Sequence, residues 1–293
     1  MKQLRAKLKI LLIGVLSILF LISVAFGIET MGGGPKIVIG AKNCTEQHIL
    51  SEIIAQLVER ETDLRVIRKF NLEGTTICFN ALKSKTIDLY VEYTGTAILD
   101  ILKESIPSFP LYEYVKGVFE TKFGIIWLNR LGFSNQYVLI ARRDSGLQKI
   151  SDLERGVDLR VAFDPEFAAR LEPELLALHY EGTSYQKLMD QVLLYFSLAN
   201  HSIDVMSGFS TDGRLVDSQF VSLEDDRDVL PRYEAAPMVT KACLDKHPEL
   251  LDVLKKLDGV ISTQEIRQLN YHVEIEGKDS KQVAAEFLNR SGI

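Results

Sequence analysis

Strand-length apolar runs alternate with helical periodicity twice along this chain, and that alternation restricts it to parallel sheets covered by helices. Residues 36–40 form a short apolar run ending in glycine, and Thr45-Glu46-Gln47 opens an amphipathic helix with Leu50, Ile53, Ile54 and Leu57 on one face. Residues 64–70 alternate as a second strand, Thr75 is placed to cap a helix carrying Ile77, Ala81 and Leu82, and residues 87–91 form a third strand. Strands joined by helices in this order pair in parallel, because each crossover returns the chain to the same end of the sheet. The second half repeats the scheme, with strands at 158–162 and 203–206, helices over 166–180 and 184–198, and further helices at 247–257, 263–270 and 279–290.

The two halves also echo one another in detail. Residues 81–94 and 198–211 each carry a helix end, an Ile-Asp pair (Ile87-Asp88 and Ile203-Asp204), a strand, and an aromatic residue that follows the strand, Tyr93 or Phe209. Ligands of open α/β sheets bind beyond the carboxyl ends of the strands. Two facing lobes therefore aim Tyr93 and Phe209 into one shared cleft. Asp88 and Asp204 read as structural groups, and Asp212-Gly213 as a turn.

Composition narrows the function. Across 293 residues, enough for two lobes, 46% are apolar and 25% charged, the profile of a globular protein. A net charge of −6 argues against a nucleic-acid binder, which needs a basic face. Lys2, Arg5, Lys7 and Lys9 precede an apolar run over 10–26, and Ala25-Phe26-Gly27 offers a cleavage site before Ile28. Residues 1–27 read as an export signal or a retained membrane anchor, and 28–35, with three consecutive glycines and Pro35, as a linker. Either way the remainder lies outside the cytoplasm, in a periplasm, since no cysteine ends the apolar run to take a lipid. Cys44, Cys78 and Cys243 have no metal or redox spacing, and a Cys44–Cys78 disulfide is an option in that compartment.

The stretches IVIGAKNCTEQHIL (37–50), IDLYVEYTGTAIL (87–99), WLNRLGFSNQY (127–137), FDPEF (163–167), STDGR (210–214), VSLEDD (221–226), AAPMV (235–239) and QLNYHVEIEGKD (268–279) extend over nearly the whole chain after the linker. By them the chain resembles the glycine betaine/carnitine/choline-binding components of osmoprotectant ABC importers. The resemblance implies a type II periplasmic-binding-protein fold, two α/β lobes with a hinge and a ligand cleft between them. The chain would cross near 138–142 and return near 234–238, giving a discontinuous first lobe, 36–139 plus 235–293, and a second lobe, 140–234. It further implies a membrane permease as partner and no cofactor or metal.

A quaternary ammonium has no N–H to donate, so aromatic faces must hold it by cation–π attraction. The resemblance places four rings there. Tyr93 matches the tyrosine of an EYTGT-like segment, Tyr137 the one ending a GFxNxY segment, and Tyr233 the one just before AAP, while Phe209 stands where relatives often carry tyrosine. Thr96 matches a position that faces the far end of the solute, and its neutral hydroxyl tolerates a betaine carboxylate. Gln47 and Thr45 would add donors at the start of the first helix, with Thr94, Asn135 and Thr211 as further lining residues.

Rival readings remain open. The five histidines show no ligand spacing, and no nucleophile elbow, Walker A loop or G-x-G-x-x-G is present, which speaks against an enzyme. Within binding, glycine betaine, proline betaine, carnitine and choline compete with ergothioneine, a trimethylated histidine betaine. A membrane-anchored sensor or scaffold without a solute is the third alternative.

Overall fold

The computed structural model describes residues 34–105, 110–155 and 158–293. The expected signal or anchor (1–27) and most of the linker lie outside the described residues. No helix among the described residues is long and apolar enough to cross a membrane.

The first lobe begins with β1 (Lys36–Lys42), α1 (Thr45–Glu61), β2 (Arg65–Leu72), α2 (Gly74–Lys83) and β3 (Leu89–Tyr93). Helical turns over Thr94–Thr96 and Ala97–Leu102 follow, then α3 (Leu111–Phe123) and β4 (Ile125–Trp127). The second lobe contains β5 (Tyr137–Arg142), β6 (Val161–Phe163), α4 (Pro165–Ala168), α5 (Glu172–His179), β7 (Lys187–Leu188), α6 (Gln191–Ala199), β8 (Val205–Phe209) and β9 (Phe220–Ser222). The chain then returns through β10 (Ala235–Thr240) to α7 (Lys241–Lys246), α8 (Glu249–Lys255), α9 (Thr263–Glu274) and α10 (Ser280–Ser291).

The sheets run β2-β1-β3-β10-β4 and β7-β6-β8-β5-β9. In each, three strands are parallel and the fourth runs against its neighbours: β10 against β3 and β4, β5 against β8 and β9. The two sheets thus share one topology, and in both the antiparallel fourth strand is the one that directly follows a crossing between the lobes. The expected boundary at 139/140 falls inside β5, which belongs wholly to the second sheet. The crossing itself lies just before, where Ser134 bridges Glu234 and the Asn135 N–H donates to the Tyr233 carbonyl at 2.9 Å.

The Ile-Asp echo has a physical basis. The Asp88 N–H donates to the Val38 carbonyl (2.7 Å) while its carboxylate accepts from the Val38 N–H (2.8 Å). Asp204 brackets Arg160 in the same way, at 2.8 and 3.0 Å. Each aspartate clamps the strand beside it and sets the register from which Tyr93 and Phe209 emerge.

Three expectations are corrected. Thr75 lies inside the first turn of α2, whose N-cap is Glu73. The helix expected over 166–180 divides into α4 and α5 because Pro173 cannot donate to the carbonyl of Ala169 and its ring clashes there. The helix expected over 184–198 starts only at Gln191, where the Asp190 carboxylate accepts from the N–H groups of Val192 and Leu193, leaving 187–188 as strand. The three cysteines are free thiols, and burial pushes Cys78 up to about 12, an unreactive state.

Candidate functional site

Tyr93 ends β3 and pairs with Ala235 at the start of β10; Phe209 ends β8 and pairs with Tyr137 at the start of β5. Shared topology therefore delivers these aromatic residues to the corresponding corner of each sheet. The Tyr137 ring lies 4.6 Å from Phe209 and 4.8 Å from Phe167, so three rings of the second lobe form one tilted stack. Tyr233 approaches from the return crossing. Its ring lies so close to Gly95 that a Cβ there would come within 2.5 Å of it, which explains the glycine of the Thr-Gly-Thr turn.

One guanidinium joins these rings. The Arg170 carbon stands 5.3 Å from the Tyr137 ring centre and 5.8 Å from that of Tyr233, and its Nη2 donates to the Tyr233 hydroxyl at 2.8 Å. Arg170 is available there because Pro173 ends the preceding helical run. Buried Glu172 accepts through Oε1 from the Tyr233 hydroxyl (2.8 Å) and from Arg170 Nε (3.3 Å), which offsets part of its desolvation, while its Oε2 is buried without a hydrogen-bond partner. A cation thus already faces two of the rings expected to hold one.

Tyr93 belongs to a polar hub instead. Its hydroxyl donates to Glu46 Oε1 at 2.5 Å and accepts from Gln47 Nε2 at 3.1 Å. Glu46 is only 6% exposed, and it also accepts from Asn135 Nδ2 (3.0 Å) and Asn270 Nδ2 (3.1 Å). Three donors and the N-terminal turn of α1 offset the cost of taking this carboxylate out of water. Asn270 donates as well to the Thr211 carbonyl at 2.9 Å, so α9 ties Glu46 to the second lobe. Lys42 covers the Tyr93 ring, its Nζ 5.4 Å from the ring centre, and no ring stacking joins Tyr93 to the other three among the described residues.

Of the remaining expected residues, Gln47 and Asn135 stand at this hub, and Thr45 and Thr211 line an adjoining cavity of about 530 Å³ with Phe209 on its wall. Thr94 turns instead to the crossing, where its hydroxyl accepts from the Glu234 N–H (3.0 Å) and donates to the Arg232 carbonyl (3.3 Å). Thr96 is half-buried one residue past Gly95. Arg170, Glu172, Phe167, Glu46 and Asn270 were not among the expected site residues, although Glu46, Phe167 and Asn270 lie within the stretches that carry the resemblance.

The phenols stay neutral. Burial, then the charge of Glu46, raises the Tyr93 pKa; burial and Glu166 raise that of Tyr137; burial and Glu172 raise that of Tyr233. The rings therefore keep their cation-attracting faces throughout the physiological range.

Two like α/β lobes with aromatic and polar groups gathered at their facing strand ends define a two-lobed solute-binding protein of the periplasmic type. Residues 35–290 match the family described as the substrate binding domain of ABC-type glycine betaine transport systems, and the chain belongs to that family. It is the substrate-binding component of an ABC importer, a class that works outside the cytoplasmic membrane.

A carnitine transport binding protein of Listeria monocytogenes is 32% identical, over 95% of this chain and 96% of the relative. A Helicobacter pylori protein named as an ergothioneine transport permease and ergothioneine binding protein is 33% identical over 88% of this chain, which spans only 48% of that longer protein. Among solved structures, a glycine betaine/carnitine/choline ABC transporter protein has a TM-score of 0.79 at 29% identity, covering 87% of this chain and 98% of that one.

Proposed function

We propose that the chain captures a quaternary-ammonium solute (glycine betaine, proline betaine, carnitine or choline) on the rings of Tyr93, Tyr137, Phe209 and Tyr233 and delivers it, chemically unchanged, to a membrane permease. The observation that carries this reading is the Arg170 guanidinium over Tyr137 and Tyr233, at distances typical of cation–π contact. A trimethylammonium group takes the place of the guanidinium on those faces. Arg170 turns towards the solute's carboxylate, and Thr96 meets the same end without charge repulsion. Lobe closure then buries the solute, and the closed form docks on the permease.

Calorimetric titration of the full chain with these four solutes and ergothioneine tests the reading. At least one binds at micromolar affinity or better, and Tyr137→Ala weakens it at least tenfold, about the loss of one good cation–π contact. No heat from any of the five defeats it. Ergothioneine is the second reading, supported by the name of the Helicobacter pylori relative, with fold and role unchanged.

A further inference from the structure

Besides the two crossing segments, α9 joins the lobes without a covalent link. Ile266 and Leu269 seat this helix in the first-lobe core together with Ile49 and Ile53 of α1. Another face of α9 meets residues 210–213 and Ser222 of the second lobe. Arg267 donates from Nε to the Ser210 carbonyl (2.5 Å) and from Nη2 to the Ser222 hydroxyl (3.3 Å), and Asn270 donates to the Thr211 carbonyl (2.9 Å). Residues 267, 270 and 271 share that face by helical spacing.

The closest approach is made by Gly213, which opens the buried helical turn Gly213–Val216. A Cβ at this position would lie 2.6 Å from the Tyr271 nitrogen, 2.8 Å from its Cα and 3.0 Å from the Asn270 carbonyl carbon. All three are backbone atoms of a helix seated in the other lobe, so no side chain can swing aside to make room. The φ of Gly213 is not positive, so the glycine serves this contact and not the conformation of the turn. Packing this close is forfeited by a gap of about 1 Å, which ties the contact to one angle between the lobes. None of these contacts uses Tyr93, Tyr137, Phe209, Tyr233 or Arg170, so they favour closure whether or not a solute is bound.

We propose that Gly213 and Arg267 are positioning residues that latch the two lobes through α9 at the angle that closes the cleft, and so raise the affinity for every solute by the same factor. The effect on affinity rests on the capture reading above, whereas the latch itself does not depend on the solute. Where only the closed form binds, the apparent Kd is the intrinsic Kd divided by the closed fraction. A latch residue changes that fraction and nothing else. A residue that touches solute changes the intrinsic Kd, and differently for each solute.

Gly213→Ala and Arg267→Ala are compared with the unaltered full chain in two ways: calorimetric titration with glycine betaine and with choline, and small-angle X-ray scattering without solute. Gly213→Ala wedges the lobes apart. It is expected to weaken both solutes at least fivefold, by factors that agree within twofold, and to enlarge the radius of gyration of the solute-free protein. Arg267→Ala adds no bulk and should move both readings the same way by less, so it carries the test by itself if Gly213→Ala fails to fold by circular dichroism. Losses that differ between the two solutes would place the effect in the pocket and overturn the latch. An unchanged radius of gyration in folded variants would overturn it as well. If neither solute binds the unaltered chain, the capture reading fails while the scattering still decides the latch.

Discussion

Arg170 donates to the Tyr233 hydroxyl at 2.8 Å while its guanidinium carbon lies 5.8 Å from the centre of the same ring. One side chain of the second lobe thus holds the edge and the face of a tyrosine that enters from the return crossing. If a solute's ammonium takes over the ring faces, the guanidinium is left to meet a carboxylate. Arg170→Gln is then expected to weaken glycine betaine at least fivefold and choline, which has no carboxylate, less than twofold, measured by calorimetry. Equal losses for both solutes would contradict this division of roles.

Gly95→Ala tests the position of Tyr233 without touching a ring. The added methyl meets the Tyr233 ring within 2.5 Å, so the ring must swing aside. Affinity for the best solute should fall at least tenfold, with the melting temperature lowered by only a few degrees. Unchanged affinity would show that the Tyr233 ring takes no part in binding.

Asp88→Ala and Asp204→Ala should behave as a matched pair. Each removes the carboxylate that accepts the backbone N–H of the neighbouring residue, Val38 or Arg160. A loss of about 1–3 kcal/mol is expected for either, read from urea denaturation. A cost confined to one of them would argue that the two clamps are not equivalent.

His48 supplies a pH dependence. Its ring stacks on Phe70 at 5.7 Å, and burial lowers its pKa below the ordinary histidine value, opposed by Glu52. The folded state therefore prefers the neutral ring. This contribution to stability is present above about pH 6.5, the unfolded value, and is lost as pH falls through the folded value. His48→Phe should lose less melting temperature than the parent between pH 7.5 and pH 5. Identical decreases would remove His48 from the acid response.

Much of this was legible from the sequence. The Ile-Asp echo located Tyr93 and Phe209 at equivalent strand ends because clamp, strand and aromatic residue are local in sequence. The Pro173 break and the Asp190 cap were also present in the letters, but apolar periodicity over 166–198 masked them. Arg170 and Glu172 escaped notice for a different reason. An Arg-x-Glu spacing is common on any helix surface, and only the return crossing, which brings Tyr233 against them, gives it meaning. Glu46 likewise looks like an ordinary first-turn acid until Asn135 and Asn270, remote in sequence, converge on it.

The late return of β10 to the first sheet also orders the molecule's assembly. All five strands of the second sheet fall within 137–222, so that half closes on itself as soon as it emerges. The first sheet must wait, because β3, buried at all five positions in the finished fold, pairs along one side with β10. Until residues 235–240 arrive, β3 is a bare apolar edge, the kind of surface on which nascent chains aggregate. Production of this protein should therefore depend on how quickly its last fifth follows the rest, and truncations after β9 should accumulate as insoluble material with a folded second half.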